Sequence, residues 1–150
     1  MKSKKVYFAK IMLAMAALAL AGCGMLKKDE DASVIKAKAV QRWDDLIAHK
    51  ADKAYDFLAP GYRKTISRAQ YAHDMNGRGM RWKKVRFGSQ TCDVDTCTVH
   101  LGVDYNINLG GLAGKVDSMG LAVETWIKVD GTWYYLPQIT SPKLDQGAEK

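Results

Sequence analysis

The sequence predicts an α+β domain in which helices pack on a curved antiparallel sheet of about four strands. Apolar residues recur at helical spacing in the first half of the chain. Later, six apolar residues alternate with polar ones over residues 98–109, and an Asp-Gly pair separates two further strand-like runs. Because the helices precede the strands instead of alternating with them, this order is typical of the α+β class.

Three helices are expected before the strands. The first covers residues 33–49, where apolar positions step by three, three and four residues: Ala37, Val40, Trp43 and Ile47. A second helix is expected after Asp52, which stands where an N-cap would, and Pro60-Gly61 are expected to end it. Ser67 and Gln70 indicate a third, short helix, because their capping-box spacing lets each side chain satisfy a free backbone amide.

Four strands account for the rest of the domain. Residues 98–109 alternate strictly, and residues 82–87 supply an earlier, less regular strand with a bulge. The run Gly110–Gly120 holds four glycines and is expected to be a long hairpin loop. Leu121–Val129 and Thr132–Leu136 form the last hairpin around Asp130-Gly131, a pair that accepts the positive φ angles of a tight turn.

The register of this last hairpin divides its side chains between two faces. One face is expected to be the core and collects Val123, Ile127, Val129, Tyr134 and Leu136. The other face is amphipathic and collects Glu124, Trp126, Lys128, Trp133 and Tyr135. Two interpretations of the amphipathic face remain open. Either the helices or a long loop cover it, or Trp126, Lys128, Trp133 and Tyr135 form a surface for a second copy or a partner protein.

The first 22 residues have the layout of a secretory signal. Four lysines and no acid occupy the first ten residues, and Ile11–Ala21 then runs eleven residues without a charge. A helix needs about 20 apolar residues to cross a bilayer, so this segment is too short to span one.

Leu20-Ala21-Gly22-Cys23 resembles the lipobox of bacterial lipoproteins. The resemblance implies cleavage before Cys23 and lipidation of that cysteine, with two or three acyl chains giving a lasting anchor. Gly24 stands where an aspartate would signal inner-membrane retention in similar lipoproteins, which favours the periplasmic face of the outer membrane. The alternatives are an ordinary secreted protein that discards Cys23 with its leader, and an accidental match to the motif. The expected division is a signal peptide over 1–22, a lipidated tether over 23–32, the domain over 33–140 and a flexible tail over 141–150.

Cys92 and Cys97 are the two cysteines left if Cys23 is lipidated. In an oxidising compartment such an even pair is expected to form a disulfide, and two strands joined by a tight turn would bring the thiols together. A metal site at this turn would need Asp93 or Asp95 and ligands from elsewhere, and a redox site would need closer spacing. We therefore expect a structural bridge, no metal and no cofactor.

The charge of the chain argues against nucleic acid as a partner. The whole sequence carries 23 basic and 16 acidic residues, but four of the lysines lie in the leader, so the processed chain has a net charge of only +3. Such a mildly basic protein can face anionic lipid, whereas nucleic-acid binding needs a far stronger basic patch.

The segment "RWDDLIAHKADKAYDFLAPGYRKTISRAQY", together with strands that end in "VETWIKVDGTWYYLP", resembles the nuclear transport factor 2-like (NTF2-like) superfamily. The resemblance spans residues 34–137 and implies a cone-shaped α+β fold, which hosts isomerases, dehydratases, immunity proteins and binding modules alike. It also implies a pocket inside the cone, for which Tyr55, Tyr62 and Tyr105 are candidate lining residues.

Two functional hypotheses follow. The first is a non-enzymatic lipoprotein that binds a small apolar ligand or an envelope protein; the second is a small-molecule isomerase, dehydratase or hydrolase that uses a pocket tyrosine or aspartate. His100 and Asp104 form no catalytic dyad, because four residues of strand separate them by about 13 Å. We predict no catalytic residue and favour the binding module, which should lack a buried acid or imidazole poised for proton transfer.

Overall fold

A computed structural model of the protein describes residues 30–108 and 114–138. The predictions for the signal peptide, the lipidated Cys23 and the tail over 141–150 fall outside these residues. No helix in the described ranges is both long enough and apolar enough to cross a membrane.

The first helix, α1, covers residues 30–47. It therefore includes residues 30–32, which the sequence had assigned to the tether. Asp31 joins this first turn to the sheet, because its carboxylate accepts hydrogen bonds from Lys128 Nζ at 2.7 Å and from Trp133 Nε1 at 3.0 Å.

The face that α1 buries differs from the predicted one. Ala37 is exposed and Val40 is half-buried, whereas the fully packed side holds an arginine among apolar residues: Ile35, Ala39, Arg42, Trp43 and Leu46. A search for apolar residues at helical spacing does not find this side of the helix, because the side contains Arg42. This charge is tolerated in the core because it has a buried partner on the sheet.

Two short helices replace the single predicted second helix. The chain forms α2 over Ala51–Ala54, a 3₁₀ turn over Tyr55–Phe57 and α3 over Pro60–Arg63. Pro60 begins α3 instead of ending a helix, because proline suits the first helical position, where no backbone donor is needed.

The predicted third helix is α4, over Arg68–Asn76. Ser67 is its N-cap, and its hydroxyl accepts a hydrogen bond from the Gln70 backbone N–H at 3.2 Å, which confirms half of the capping box. The Gln70 side chain donates to Asp74 instead of returning to the cap.

The sheet has four antiparallel strands in the order β1-β2-β3-β4. They are β1 over Met80–Cys92, β2 over Thr96–Asn108, β3 over Lys115–Val129 and β4 over Thr132–Leu136. The α+β class is confirmed. The register of β1 against β2 shifts between Trp82 and Lys84 and again between Phe87 and Ser89, so the expected irregularity is present.

Strand β3 begins much earlier than predicted. Residues 115–120 pair with β2, so the glycine-rich loop expected over Gly110–Gly120 is wrong for that half; residues 109–113 lie outside the described ranges. Pairing along the whole of a long, regular β2 overrides the weak strand preference of glycine.

Both hairpins are closed in the way that the sequence predicts. Asp130 and Gly131 have φ angles of 49° and 77°, and the register from Val129↔Thr132 to Thr125↔Leu136 is the predicted one. Cys92 and Cys97 face each other at the end of the β1–β2 hairpin and are joined by a disulfide.

Candidate functional site

The inner face of the sheet, which the helices cover, is the opposite of the one predicted for the last hairpin. Trp126 is 0% exposed, and Glu124 and Trp133 are also buried, whereas Val123 is 44% exposed. The reason is register: Val99 of β2 is buried and pairs with Glu124, and paired residues share one face of a sheet.

The predicted partner surface is therefore wrong in its location. Trp126 packs against Phe57 and Tyr135, with ring centroids 6.5 and 6.0 Å apart. Lys128 does lie over the Trp133 ring, with Nζ 5.3 Å from the centroid, but both belong to the contact with Asp31 on α1. Of the two interpretations left open, the structure agrees with cover by the helices.

Exposed apolar residues lie instead on β3, in the part that extends beyond β4. Met119 is 66% exposed and Leu121 is 72% exposed. Strand β4 pairs only with residues 125–129, so residues 115–124 have no strand on that side within the described chain.

A buried ion pair connects α1 to the sheet. Arg42 and Glu124 are both almost fully buried, and Arg42 Nη2 donates to Glu124 Oε1. Glu124 also accepts from the indole N–H of Trp43 at 2.7 Å and from that of Trp126 at 2.9 Å. Three protein donors therefore occupy the oxygens of this carboxylate.

A cavity of about 230 Å³ lies beside this ion pair. It is lined mainly by aromatic and basic residues from the helices, the sheet and the segment after β4: Arg42, Trp43, Leu46, Tyr62, Tyr71, Met75, Arg78, Trp82, Tyr135, Pro137 and Gln138. Its volume lies just below the range of about 300–1,000 Å³ that is typical of sites for drug-sized ligands, so it suits a smaller molecule. A second, smaller cavity of about 60 Å³ opens nearby beside His49 and Arg81.

Arg42 is the most constrained group of the cavity wall. Its guanidinium stacks on Tyr135, with Cζ 4.1 Å from the ring centroid, and Nη1 makes a long contact of 3.5 Å with the Tyr71 hydroxyl. Burial opposes the charge, but the attraction of Glu124 and of the neighbouring tyrosine oxygens outweighs it and raises the pKa of Arg42. Its Nε is buried and has no hydrogen-bond partner among the described residues.

Two tyrosines of the cavity, Tyr71 and Tyr135, are held in their neutral form by burial. Burial raises the pKa of Tyr71 and of Tyr135 above the ordinary value, although the charge of Arg42 works in the opposite direction. The described lining residues include no carboxylate and no histidine. The cavity can therefore bind by stacking and by hydrogen-bond donation, and tyrosines are the groups of its described lining that could take part in proton transfer.

Of the three predicted pocket tyrosines, the structure brings only Tyr62 to the cavity. The hydroxyl of Tyr55 donates to the backbone oxygens of Arg63 and Ile66, and its ring packs on Tyr71, so it belongs to the helical layer. Tyr105 lies in β2 between Trp82 and Ser118, outside the cavity lining.

His100 and Asp104, from which no catalytic dyad is expected, both lie in β2. Asp104 lies on the outer face and accepts two hydrogen bonds of 2.6 Å from Arg86, which lower the pKa of its carboxyl. Among the described residues, no group of three or more histidines, cysteines or acids could hold a metal ion.

Sequence patterns alone missed Arg42, Tyr71 and Arg78, and placed Tyr135 on a different surface. Arg42 carried a usable signal, because it follows Ile35 by seven residues and Ala39 by three, which puts all of them on one side of a helix. Arg78 follows the end of α4 and carried no such signal; its Cζ lies 5.8 Å from the Trp82 ring centroid.

Comparison with known proteins gives a likeness of fold. No protein-family profile and no curated protein matches the chain. A solution structure of a SEC-C motif containing protein from Rhodopseudomonas palustris is similar with a TM-score of 0.54 and 15% identity, over 67% of this chain and 73% of that one.

Two further similar structures have lower TM-scores. One is described as an NTF2-like transpeptidase from Campylobacter jejuni, with a TM-score of 0.47 and 15% identity over 67% of this chain and 94% of that one. The other is a protein of unknown function from Mycobacterium tuberculosis, with a TM-score of 0.47 and 12% identity over 72% of this chain and 70% of that one. At such identities the likeness concerns the α+β fold alone.

Proposed function

We propose that this protein is a non-enzymatic binding module of the NTF2-like type, which takes a small ligand into the cavity beside Arg42. The observation that carries the proposal is the cavity of about 230 Å³ between the helices and the sheet, lined by aromatic rings. Concave sites of mostly apolar lining with a few convergent polar groups are the usual form of small-molecule sites.

The polar groups of the site support binding over catalysis. The buried carboxylate, Glu124, accepts three hydrogen bonds from protein donors. The alternative is an isomerase, dehydratase or hydrolase that uses a pocket tyrosine or aspartate; the described lining offers tyrosines for this role and no aspartate.

We propose a cellular setting from the leader: lipidation of Cys23 and attachment to the periplasmic face of the outer membrane. The support is the charged start, the short apolar segment and the LAGC motif. Replacing Cys23 by serine should prevent palmitate incorporation and membrane attachment. A Cys23→Ser protein that still fractionates with membranes and still incorporates palmitate would overturn this part of the proposal.

Binding in the cavity is tested by filling it. Met75 lines the cavity, so Met75→Trp should block uptake of a small-molecule library measured by ligand-observed NMR on the lipidated protein in detergent. Thr91→Trp introduces the same ring at an exposed position on β1, away from the cavity, and should bind as the wild type does. Equal binding by both variants would show that the ligands occupy another place.

We also propose that a second copy of the chain contacts this one. The contact surface is the exposed part of β3, and not the face with the buried tryptophans for which the sequence predicted it. The support is that residues 115–124 form a strand edge without a described neighbour and carry exposed apolar side chains such as Met119 and Leu121. Such edges pair readily with other strands. Leu121→Lys should abolish crosslinking between copies, and Thr91→Lys, exposed on β1, should not. Crosslinking that is absent from the wild type, or unchanged in Leu121→Lys, would exclude this contact.

A further inference from the structure

We propose that the cavity selects small monocarboxylates, with the carboxylate bound by Arg42 and the flat apolar part of the molecule held among the aromatic rings. This inference rests on the proposed function, because it specifies the ligand of the same cavity.

The first argument is the unused donor capacity of Arg42. A guanidinium has five N–H donors in a planar fork. Nη2 donates to Glu124, and Nη1 makes only the 3.5 Å contact with Tyr71. The Nε–H is fully buried and has no partner among the described residues. Arg42 lines the cavity, and the N–H groups of its guanidinium that Glu124 does not occupy can donate charge-assisted hydrogen bonds to a carboxylate.

The second argument is the charge balance around the cavity. The described lining holds two cations, Arg42 and Arg78, and no acid. Glu124, behind the wall, compensates one positive charge. The site therefore has an excess of one positive charge, which a single negative charge on the ligand would neutralise.

The third argument is the shape and chemistry of the remaining wall. Trp43 and Trp82 meet edge to face, with ring centroids 5.4 Å apart, and three tyrosines complete the aromatic lining: Tyr62, Tyr71 and Tyr135. Aromatic walls favour flat or aliphatic ligand bodies, and the cavity volume limits these to small ones. A lipid chain or a peptide would exceed this space, so a small organic acid is the class that fits.

The test compares acids with neutral amides of the same shape. We would titrate the lipidated full-length protein in detergent with benzoate and benzamide, phenylacetate and phenylacetamide, and hexanoate and hexanamide, using calorimetry. In at least one pair the acid should bind about tenfold or more tightly than the amide, because hydrogen bonds to an ionised acceptor are roughly twice as strong as neutral ones. Equal affinities in every pair would overturn the carboxylate preference and leave the binding function standing. No binding by any probe would overturn both.

The residue assignment has its own readouts. The bound acid should shift the ¹⁵N resonance of Arg42 Nε in the wild type, which avoids any variant that could fail to fold. Arg78→Gln should weaken acid binding severalfold with little effect on the amide. Lys84→Gln, which removes one exposed positive charge on the outer face beside Asp104, should leave both affinities unchanged. An unshifted Arg42 resonance, or equal effects of Arg78→Gln and Lys84→Gln, would overturn the assignment.

Discussion

Replacing Glu124 by leucine should remove most of the stability of this domain. The substitution leaves Arg42 as an unpaired charge in the core, and breaking one side of a buried ion pair costs about 3–5 kcal/mol. It also leaves the indole N–H groups of Trp43 and Trp126 without their acceptor, at about 1–3 kcal/mol each. A loss of about 5 kcal/mol is comparable with the whole stability of a small domain, about 5–15 kcal/mol.

Urea unfolding followed by circular dichroism measures this loss. The unfolding midpoint of Glu124→Leu should fall sharply with an unchanged slope, or the protein should be unfolded without urea. The double variant Arg42→Met with Glu124→Gln should recover at least about 2 kcal/mol relative to Glu124→Leu, because it removes the unpaired charge and the amide oxygen can still accept from an indole.

A matched control distinguishes the effect of losing a buried acid from the effect of losing an exposed one. Asp104→Leu removes an acid that is paired with Arg86 on the exposed outer face, and it should leave the midpoint nearly unchanged. If Glu124→Leu unfolds no more easily than Asp104→Leu, the buried network does not hold α1 to the sheet and the reasoning fails.

Two further predictions concern the disulfide and the tyrosines. The variant with both Cys92 and Cys97 replaced by serine should be less stable by about 2 kcal/mol on the chain-entropy account, measured by urea unfolding against the oxidised wild type; an unchanged midpoint would contradict it. Burial raises the pKa of Tyr71 and of Tyr135 in the folded protein. As the pH rises above about 10, the unfolded chain therefore releases these protons before the folded chain does. The free energy of unfolding should consequently fall as the pH rises. Unfolding midpoints at pH 9 and pH 11 measure the fall, and replacing both tyrosines by phenylalanine should reduce it; an equal fall without them would assign it to other groups.

Local sequence patterns correctly predict the elements whose formation depends on neighbouring residues. The alternation of β2, the Ser67 cap and the Asp130-Gly131 turn each depend on a few neighbouring residues, and all three are present in the structure. The start of β3 was missed because residues 115–120 are held by pairing with β2. That pairing is a tertiary effect, which the composition of the segment does not reveal.

The faces of the last hairpin were assigned wrongly for a related reason. Within the hairpin, either face is apolar enough to be the core, and the turn fixes which residues share a face but not which face points inward. The pairing of Val99 with Glu124 decides this, and it connects two separate hairpins. Once Glu124 lies inside, its charge needs a partner, and the arginine on the inner side of α1 is the group that supplies it.

Arg42 therefore has two roles that depend on each other. Glu124 and the Tyr135 ring fix two sides of the guanidinium, so Arg42, which lines the cavity, needs no further ordering when a ligand arrives. A donor fixed in advance loses little conformational entropy on binding, which favours affinity in a small cavity. A change at Tyr135 should consequently weaken acid binding even in a variant that still folds, because it removes the ring on which the guanidinium stacks and leaves the charges of Arg42 and Glu124 in place. In Tyr135→Leu, acid affinity should drop severalfold more than the affinity for the matching amide while the circular dichroism spectrum stays native. An equal loss for acid and amide would show that Arg42 needs no such support.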